Sequence, residues 1–155
     1  MRVRMDAIII VDLQKAFPVP TDLLRRIEQR CSSYPLRVFT KFINPPDSIF
    51  RRKLDRRSCA PGTSETELLL NPGPKDLVLE KASYGLGPDH LAALRGAGVE
   101  KALVCGVDTD ACVLGVVFSL FDAGIDCEVD PDLCWSSMGL HEMALKIIRA
   151  QFGTG

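Results

Sequence analysis

Short runs of β-branched and other apolar residues alternate along the chain with segments of helical periodicity. The five candidate strands are "AIIIVD" (7–12), "LRVFTKF" (36–42), "DLVLEK" (76–81), "KALVCGV" (101–107) and "IDCEVD" (125–130). Strands separated by amphipathic helices are typical of βαβ units, whose parallel sheet is buried on both faces. The alternation predicts an α/β fold of three layers (αβα), with a doubly wound, mainly parallel, Rossmann-like sheet of five or six strands.

The helical segments carry start and stop signals. "TDLLRRIEQRCSS" begins with Thr21 as a candidate cap and places Leu23, Leu24 and Ile27 on one face. "GPDHLAALRGAG" has a proline just inside a helix start and glycines beyond its end. "SSMGLHEMALKIIRAQFG" opens with serine caps and closes on Gly153. We expect these segments to be crossover helices that pack against the sheet.

Residues 44–75 interrupt this pattern with an irregular, proline-rich excursion, which we predict to be a lid or binding loop. Its centre, "RRKLDRR" (51–57), has six charged residues, five of them basic. The simplest interpretation is a solvated helical face, and the alternative is a lid that recognises an anionic substrate. A length of 155 residues fits one domain, 1–155.

Composition and motifs argue against several classes of protein. A formal net charge of −1 argues against a nucleic-acid partner, and no apolar run is long enough for a membrane span. The first residues lack a signal-peptide pattern, so we expect a cytoplasmic protein. No G-x-G-x-x-G or P-loop is present, the six cysteines form no CxxC pair, and the two histidines stand alone. We therefore expect reduced thiols, no metal and no cofactor.

Three polar residues lie at or just beyond the predicted strand ends. Asp12 ends the first strand, Lys81 ends the third, and Cys112 follows the fourth by a short loop. Ligands of parallel α/β sheets bind outside the carboxyl ends of the strands, so all three can face one crevice. Each residue also has a simpler interpretation: Cys112 as a small buried hydrophobe, Asp12 as a turn cap and Lys81 as a solvated strand end.

Together the three residues supply what thiol catalysis needs. A helix N-terminus and a nearby ammonium favour a thiolate, and a carboxylate can accept and later return a proton. In this interpretation Cys112 is the nucleophile, Asp12 the base and acid, and Lys81 the charge partner. Backbone N–H groups of Asp108 and Cys112 are candidates for an oxyanion hole.

Four aromatic residues near strand ends are candidates for a substrate pocket: Phe17, Phe42, Tyr84 and Trp135. Residues of this type are more often part of a core. Trp135 has the stronger claim because it follows a strand within a polar turn.

The motifs "IIIVDLQKAF", "VFTKF", "VLEKASYG", "LVCGVDTDACV" and "LFDAGIDCEVDPDLCWSS…HEMAL" cover about residues 6–151. In order and spacing the chain resembles the isochorismatase-like cysteine hydrolases, which include nicotinamidases and other small-amide hydrolases. The resemblance implies an Asp12–Lys81–Cys112 triad, a thioester-type intermediate and hydrolysis of a C–N bond in a small molecule. It also implies a non-proline cis peptide at Val107–Asp108 and a homodimer or homotetramer.

The chain departs from part of this family after the second strand. Metal-binding nicotinamidases carry Asp-x-His there, whereas this chain reads "TKFINPP", with Lys41, Ile43 and Asn44. A metal-anchored pyridine is therefore not expected. Three alternatives stay open: vinyl-ether hydrolysis, a catalytically silent binding or assembly protein, and thiol redox chemistry between Cys105 and Cys112.

Overall fold

The fold is built on a five-stranded sheet with its first strand in the middle. The computed structural model describes residues 5–153, so 1–4 and 154–155 of the predicted domain lie outside the described residues. The strands are β1 (Met5–Val11), β2 (Leu36–Phe42), β3 (Leu77–Lys81), β4 (Val99–Val107) and β5 (Asp126–Trp135). Their order is β3-β2-β1-β4-β5, and every neighbouring pair is parallel. The predicted three-layer α/β architecture is confirmed, with five strands among the described residues.

Five helices accompany the sheet. They are α1 (Thr21–Cys31), α2 (Ile49–Leu54), α3 (Pro88–Gly96), α4 (Leu114–Asp122) and α5 (His141–Phe152). A 3₁₀ turn occupies Ser64–Thr66, and a π-helical turn occupies Thr109–Val113 directly before α4. Within residues 5–153, no helix combines the length and the apolar character that a membrane crossing requires.

The centre of the sheet is the centre of the core. Ala7 to Val11 of β1 have no exposed surface, because helices cover both faces of the parallel sheet. On α1, the apolar face predicted from helical spacing is confirmed, with Leu23 and Ile27 buried and Leu24 partly buried. The chain runs outward from β1 to β3 and then returns to the other side of β1 as β4. Strand order therefore reverses between β1 and β4, where ligands of such sheets bind.

Two predicted helix starts were wrong. Thr21 is the first residue of α1 rather than its cap, because extended Pro20 occupies the capping position. α5 begins at His141 and not at the serines, since Gly139 adopts a left-handed φ of 71° in the turn between them. Ser136 instead stabilises that turn, and its hydroxyl accepts hydrogen bonds from the N–H groups of Met138 and Leu140. The predicted end of α5 at Gly153 is confirmed.

β5 is longer than predicted because it continues past Pro131 to Trp135. Proline cannot donate to a strand ladder, but it is tolerated at a sheet edge and at irregular pairing. Both conditions hold here, because β5 is an edge strand and its pairing with β4 shifts register between Val104 and Gly106.

The excursion at 44–75 is not irregular throughout, since it contains α2 and the 3₁₀ turn. Two buried side-chain amides hold it against the sheet. Gln14 donates to the carbonyls of Phe42 (2.9 Å) and Thr66 (3.0 Å) and accepts from the Phe42 N–H (2.9 Å). Asn44 donates to the carbonyls of Arg56 (2.9 Å) and Ser58 (3.0 Å). These bonds give the excursion a defined position above the carboxyl edge of the sheet.

Gly106 marks the closest approach of the two strands at the switch point. It pairs with Val11 and has a φ of 116°, which L-amino acids with a side chain rarely adopt. A Cβ atom at this position would lie 2.2 Å from the Val11 carbonyl oxygen. Only glycine therefore permits β1 and β4 to end side by side.

We predict that Gly106→Ala destabilises the fold by at least about 2 kcal/mol, since it adds a backbone clash to an unfavourable φ. Chemical denaturation measures the change. Gly124→Ala is the matched control, because Gly124 has a φ of 75° but a Cβ atom there would meet nothing within 4 Å. A smaller loss in the control separates the clash from the conformational cost, whereas equal losses would contradict the role of strand approach.

Candidate active site

Asp12 lies directly beyond β1 and is held in a single orientation. It is 1% exposed and has a left-handed φ of 52°, which aspartate tolerates better than most residues. The Thr40 hydroxyl on β2 accepts from the Asp12 N–H (3.1 Å) and donates to Asp12 Oδ1 (2.6 Å). Thr40 therefore fixes the backbone and the carboxylate at once. Asp12 does not serve as a simple turn cap.

Lys81, the last residue of β3, is a buried cation with a full set of acceptors. It is 3% exposed, which excludes the solvated strand end. Its Nζ lies 3.2 Å from Asp12 Oδ2 and donates to the carbonyls of Ser83 (2.7 Å) and Tyr84 (3.1 Å). Both carbonyls belong to the loop 82–87 between β3 and α3, which we call the lysine loop. An ammonium has three donors, and each one has a partner here. Such complete pairing is what offsets the desolvation cost of a buried charge.

Cys112 is partly buried in the π-helical turn Thr109–Val113, the cysteine turn, which connects β4 to α4. The Val107–Asp108 peptide before this turn is cis, as the family resemblance implied. Residues 108–110 are each hydrogen-bonded to the segment between β5 and α5 or to the first residue of α5. The pairs are Asp108 with Ser137 (2.5 Å), Thr109 with His141 (2.8 Å) and Asp110 with Ser136 (2.6 Å). These contacts set the position of the cysteine turn.

A glycine contact joins the lysine loop to α4, the helix that follows the cysteine turn. A Cβ atom on Gly115 would lie 2.9 Å from the Tyr84 carbonyl carbon, and one on Gly85 would lie 2.9 Å from the Gly115 carbonyl oxygen. The two backbones touch because neither residue has a side chain. Lys81 and Cys112 are thereby brought to the same edge of the sheet.

Burial raises the pKa of the Cys112 thiol above its ordinary value, and the Asp12 carboxylate raises it further. The Lys81 ammonium lowers the pKa, as expected from sequence, but the other two effects outweigh it. The resting side chain at neutral pH is therefore the thiol. A nucleophile in this setting needs a base at the moment of attack, and Asp12 is placed to act as one.

The three site residues border or underlie a cavity of about 400 Å³ at the switch point. Asp12 and Cys112 line it, while Lys81 lies beneath Asp12. The other lining residues include the predicted Phe17, Phe42, Tyr84 and Asp108, and also Asn44, Phe50, Arg56, Arg57, Ser137 and Met138. Trp135 is absent from this wall because it packs, partly buried, against the main core.

Sequence reasoning missed the residues that orient the site. Thr40 is a polar residue inside the apolar run "LRVFTKF", and Gln14 follows Asp12 by two positions. Their side chains are fully buried and hydrogen-bonded. A polar residue within a strand that should be buried on both faces was the available signal, because it must find a partner.

Comparison with known proteins agrees with this geometry. A family model described as "Isochorismatase domain" matches residues 6–154. The chain belongs to the isochorismatase family. The motifs predicted a hydrolase of this family, and the family match confirms that assignment. A search of curated proteins found no match.

Solved structures share the family fold at low sequence identity. A pyrazinamidase of Pyrococcus horikoshii in complex with zinc has a TM-score of 0.86 and 23% identity, over 96% of each chain. N-carbamoylsarcosine amidase from Thermoplasma acidophilum has a TM-score of 0.81 and 20% identity, over 97% of this chain and 94% of that one. A nicotinamidase from Bacillus subtilis has a TM-score of 0.80 and 18% identity, over 97% of each. These likenesses establish the fold.

The donor set of this isochorismatase-family chain does not fit a zinc ion. Among residues 5–153, no three His, Cys, Asp or Glu side chains are grouped to hold a metal. Beyond β2 the candidate ligand atom is Asn44 Oδ1, which already accepts from the Ser48 hydroxyl. Zinc prefers thiolate, imidazole and carboxylate donors, which this position lacks.

The structure does not favour redox chemistry between Cys105 and Cys112, because Cys105 is inaccessible. Cys105 is fully buried in β4, and its Sγ donates to the Ile9 carbonyl (3.6 Å). The six cysteines are all free. Cys112 is the one that lines the cavity, so it is not simply a core residue.

We predict that Cys112 reacts slowly with iodoacetamide at pH 7.5 and faster as the pH rises, because the thiolate is the reactive form and its pKa is raised. Asp12→Asn removes a charge that opposes ionisation, so it should accelerate labelling. Lys81→Met removes the charge that favours ionisation, so it should slow labelling.

Peptide mass spectrometry resolves the labelled site in each variant. Cys127 is the internal control. Burial and the neighbouring Asp126 and Glu128 raise its pKa to about 11, and neither substituted residue contributes to that shift. Circular dichroism checks folding, because each substitution leaves a buried partner unpaired. Slower labelling in Asp12→Asn than in the parent would contradict the assigned electrostatics.

Proposed function

We propose that this protein hydrolyses the C–N bond of a small amide, with Cys112 as nucleophile, Asp12 as general base and acid, and Lys81 as the cation that is paired with Asp12 and holds it in place. The observation that carries the proposal is the buried Asp12–Lys81 pair, with Nζ 3.2 Å from Oδ2, whose Asp12 lines the same cavity as Cys112. A buried ion pair at a strand end is a costly feature for a purely structural role.

The first half of the reaction forms a thioester. As Cys112 Sγ attacks the amide carbonyl carbon, its proton passes to Asp12, and the carbonyl electron pair moves onto oxygen. The N–H groups of Asp108 and Cys112 are the proposed donors to this oxyanion. Collapse of the intermediate breaks the C–N bond, and the protonated Asp12 gives its proton to the departing nitrogen.

The second half returns the enzyme to its starting state. Water attacks the thioester carbonyl and gives a proton to Asp12. The C–S bond then breaks, a carboxylic acid is released, and Cys112 regains its proton from Asp12. One carboxyl group thus acts twice as base and twice as acid, which explains why a histidine is not needed.

The raised pKa of Cys112 fits this scheme. A permanent thiolate would repel the Asp12 carboxylate, whereas a thiol can donate to it. Lys81 offsets the negative charge that passes between sulfur and carboxylate. The homodimer or homotetramer and the cytoplasmic location stay predictions.

The test is ammonia release from nicotinamide, pyrazinamide and N-carbamoylsarcosine, which we chose from the activities named for structures of similar fold. We expect Cys112→Ala to lower kcat by at least about 1,000-fold, since no second thiol lines the cavity. Cys127→Ala is the control and should retain activity. Intact-mass analysis of acid-quenched samples should detect an acyl adduct on the parent enzyme. Retained hydrolysis in Cys112→Ala would overturn the proposal.

A further inference from the structure

The excursion places an arginine without a carboxylate partner on the wall of the candidate active site. Arg56 and Arg57 both line the cavity. Arg57 Nε is 3.0 Å from Asp55 Oδ1 and so has a carboxylate partner. Among the described residues, Arg56 has no carboxylate within 4.0 Å, and its Nη1 instead lies 3.4 Å from the Tyr84 hydroxyl.

The backbone of Arg56 is fixed on both sides. Its N–H donates to the Phe50 carbonyl (3.0 Å), and its carbonyl accepts from the Asn44 amide (2.9 Å). Asn44 is fully buried, and Phe50 packs edge-to-face against both Phe42 and Tyr84, with ring centroids 5.0 Å apart in each case. The guanidinium thus extends from a held turn and not from a loose loop.

The other charged residues of the cavity are paired or lie away from Arg56, so Arg56 is the cation there that has no carboxylate partner among residues 5–153. Asp12 is paired with Lys81, and Asp55 with Arg57. Asp108 is the remaining acid, and it lies on the opposite chain segment, next to the cysteine turn, where Ser137 donates to it. The cavity is therefore polarised, with an acid at the Cys112 end and a guanidinium on the excursion.

We propose that the substrate is an amide with an anionic group, a carboxylate above all, that binds Arg56 while the scissile carbonyl faces Cys112. This inference rests on the proposed function. Arg56 is exposed to solvent, and a guanidinium recognises carboxylate through two parallel hydrogen bonds. Asp108 repels the anionic end and so favours the productive orientation. Tyr84 connects Arg56 to the catalytic residues, because its hydroxyl lies 3.4 Å from Arg56 Nη1 and its carbonyl accepts a hydrogen bond from Lys81.

The experiment compares three amides that share a benzamide core: 3-carbamoylbenzoate, neutral benzamide and cationic 3-(aminomethyl)benzamide. We expect kcat/KM for 3-carbamoylbenzoate to exceed that for benzamide about 10- to 100-fold, as expected for hydrogen bonds to a charged group. Arg56→Gln should abolish this preference by lowering kcat/KM for 3-carbamoylbenzoate to about that for benzamide in the same variant. Higher ionic strength should reduce the preference in the parent enzyme.

Arg52→Gln is the matched control. Arg52 is an exposed residue of α2, so its substitution removes the same charge from the same segment without altering the cavity wall. The variant should retain the preference. Equal hydrolysis of the anionic and neutral amides, or preference for the cationic one, would overturn the anionic assignment while the hydrolase proposal stands.

A binding measurement separates the two proposals if no amide is hydrolysed. Calorimetric titration of 3-carbamoylbenzoate into Cys112→Ala should show saturable binding that Arg56→Gln weakens at least about tenfold and Arg52→Gln does not. That result would retain the anionic site and remove the hydrolase assignment. Absence of binding, or binding insensitive to Arg56→Gln, would overturn the anionic site.

Discussion

The Asp12–Lys81 ion pair is the constraint on which the surrounding structure depends. Two charges with almost no exposed surface are stable only when every donor and acceptor is satisfied. The Thr40 hydroxyl, the carbonyls of the lysine loop and the left-handed backbone of Asp12 together meet this requirement. Features that look unrelated in the sequence therefore serve one electrostatic need.

Strand order explains how one edge collects these groups. β1 lies at the centre, and β2 separates it from β3, so the Lys81 side chain must pass over the end of β2 to reach Asp12. Thr40 lies on that intervening strand and contacts the carboxylate from between the two charged residues. On the other side, β4 delivers Cys112 through the cysteine turn. The triad interpretation thus rests on topology as well as on residue type.

Sequence predicted the parts of the site that depend on strand ends. Asp12, Lys81 and Cys112 follow recognisable apolar runs, and the carboxyl ends of parallel strands share an edge, so their convergence could be inferred. Thr40 and Asn44 could not be assigned roles, because their partners depend on strand register and on the path of the excursion. Trp135 lies outside the cavity wall and packs against the core, a placement that depends on the path of β5 beyond its predicted end. The direction of the Cys112 pKa shift could not be predicted from sequence, because it depends on how deeply the thiol is buried. The opposing effects of Asp12 and Lys81 do not decide it alone.

The contact between Gly85 and Gly115 has a consequence for how the site tolerates change. Side chains can repack when a neighbour is substituted, but two backbones in contact have no rotamers through which to adjust. The spacing between the lysine loop and α4 is consequently set by main-chain dimensions. A side chain at either glycine would therefore push the lysine loop and α4 apart, and with them the edge of the sheet that holds Lys81 and Cys112.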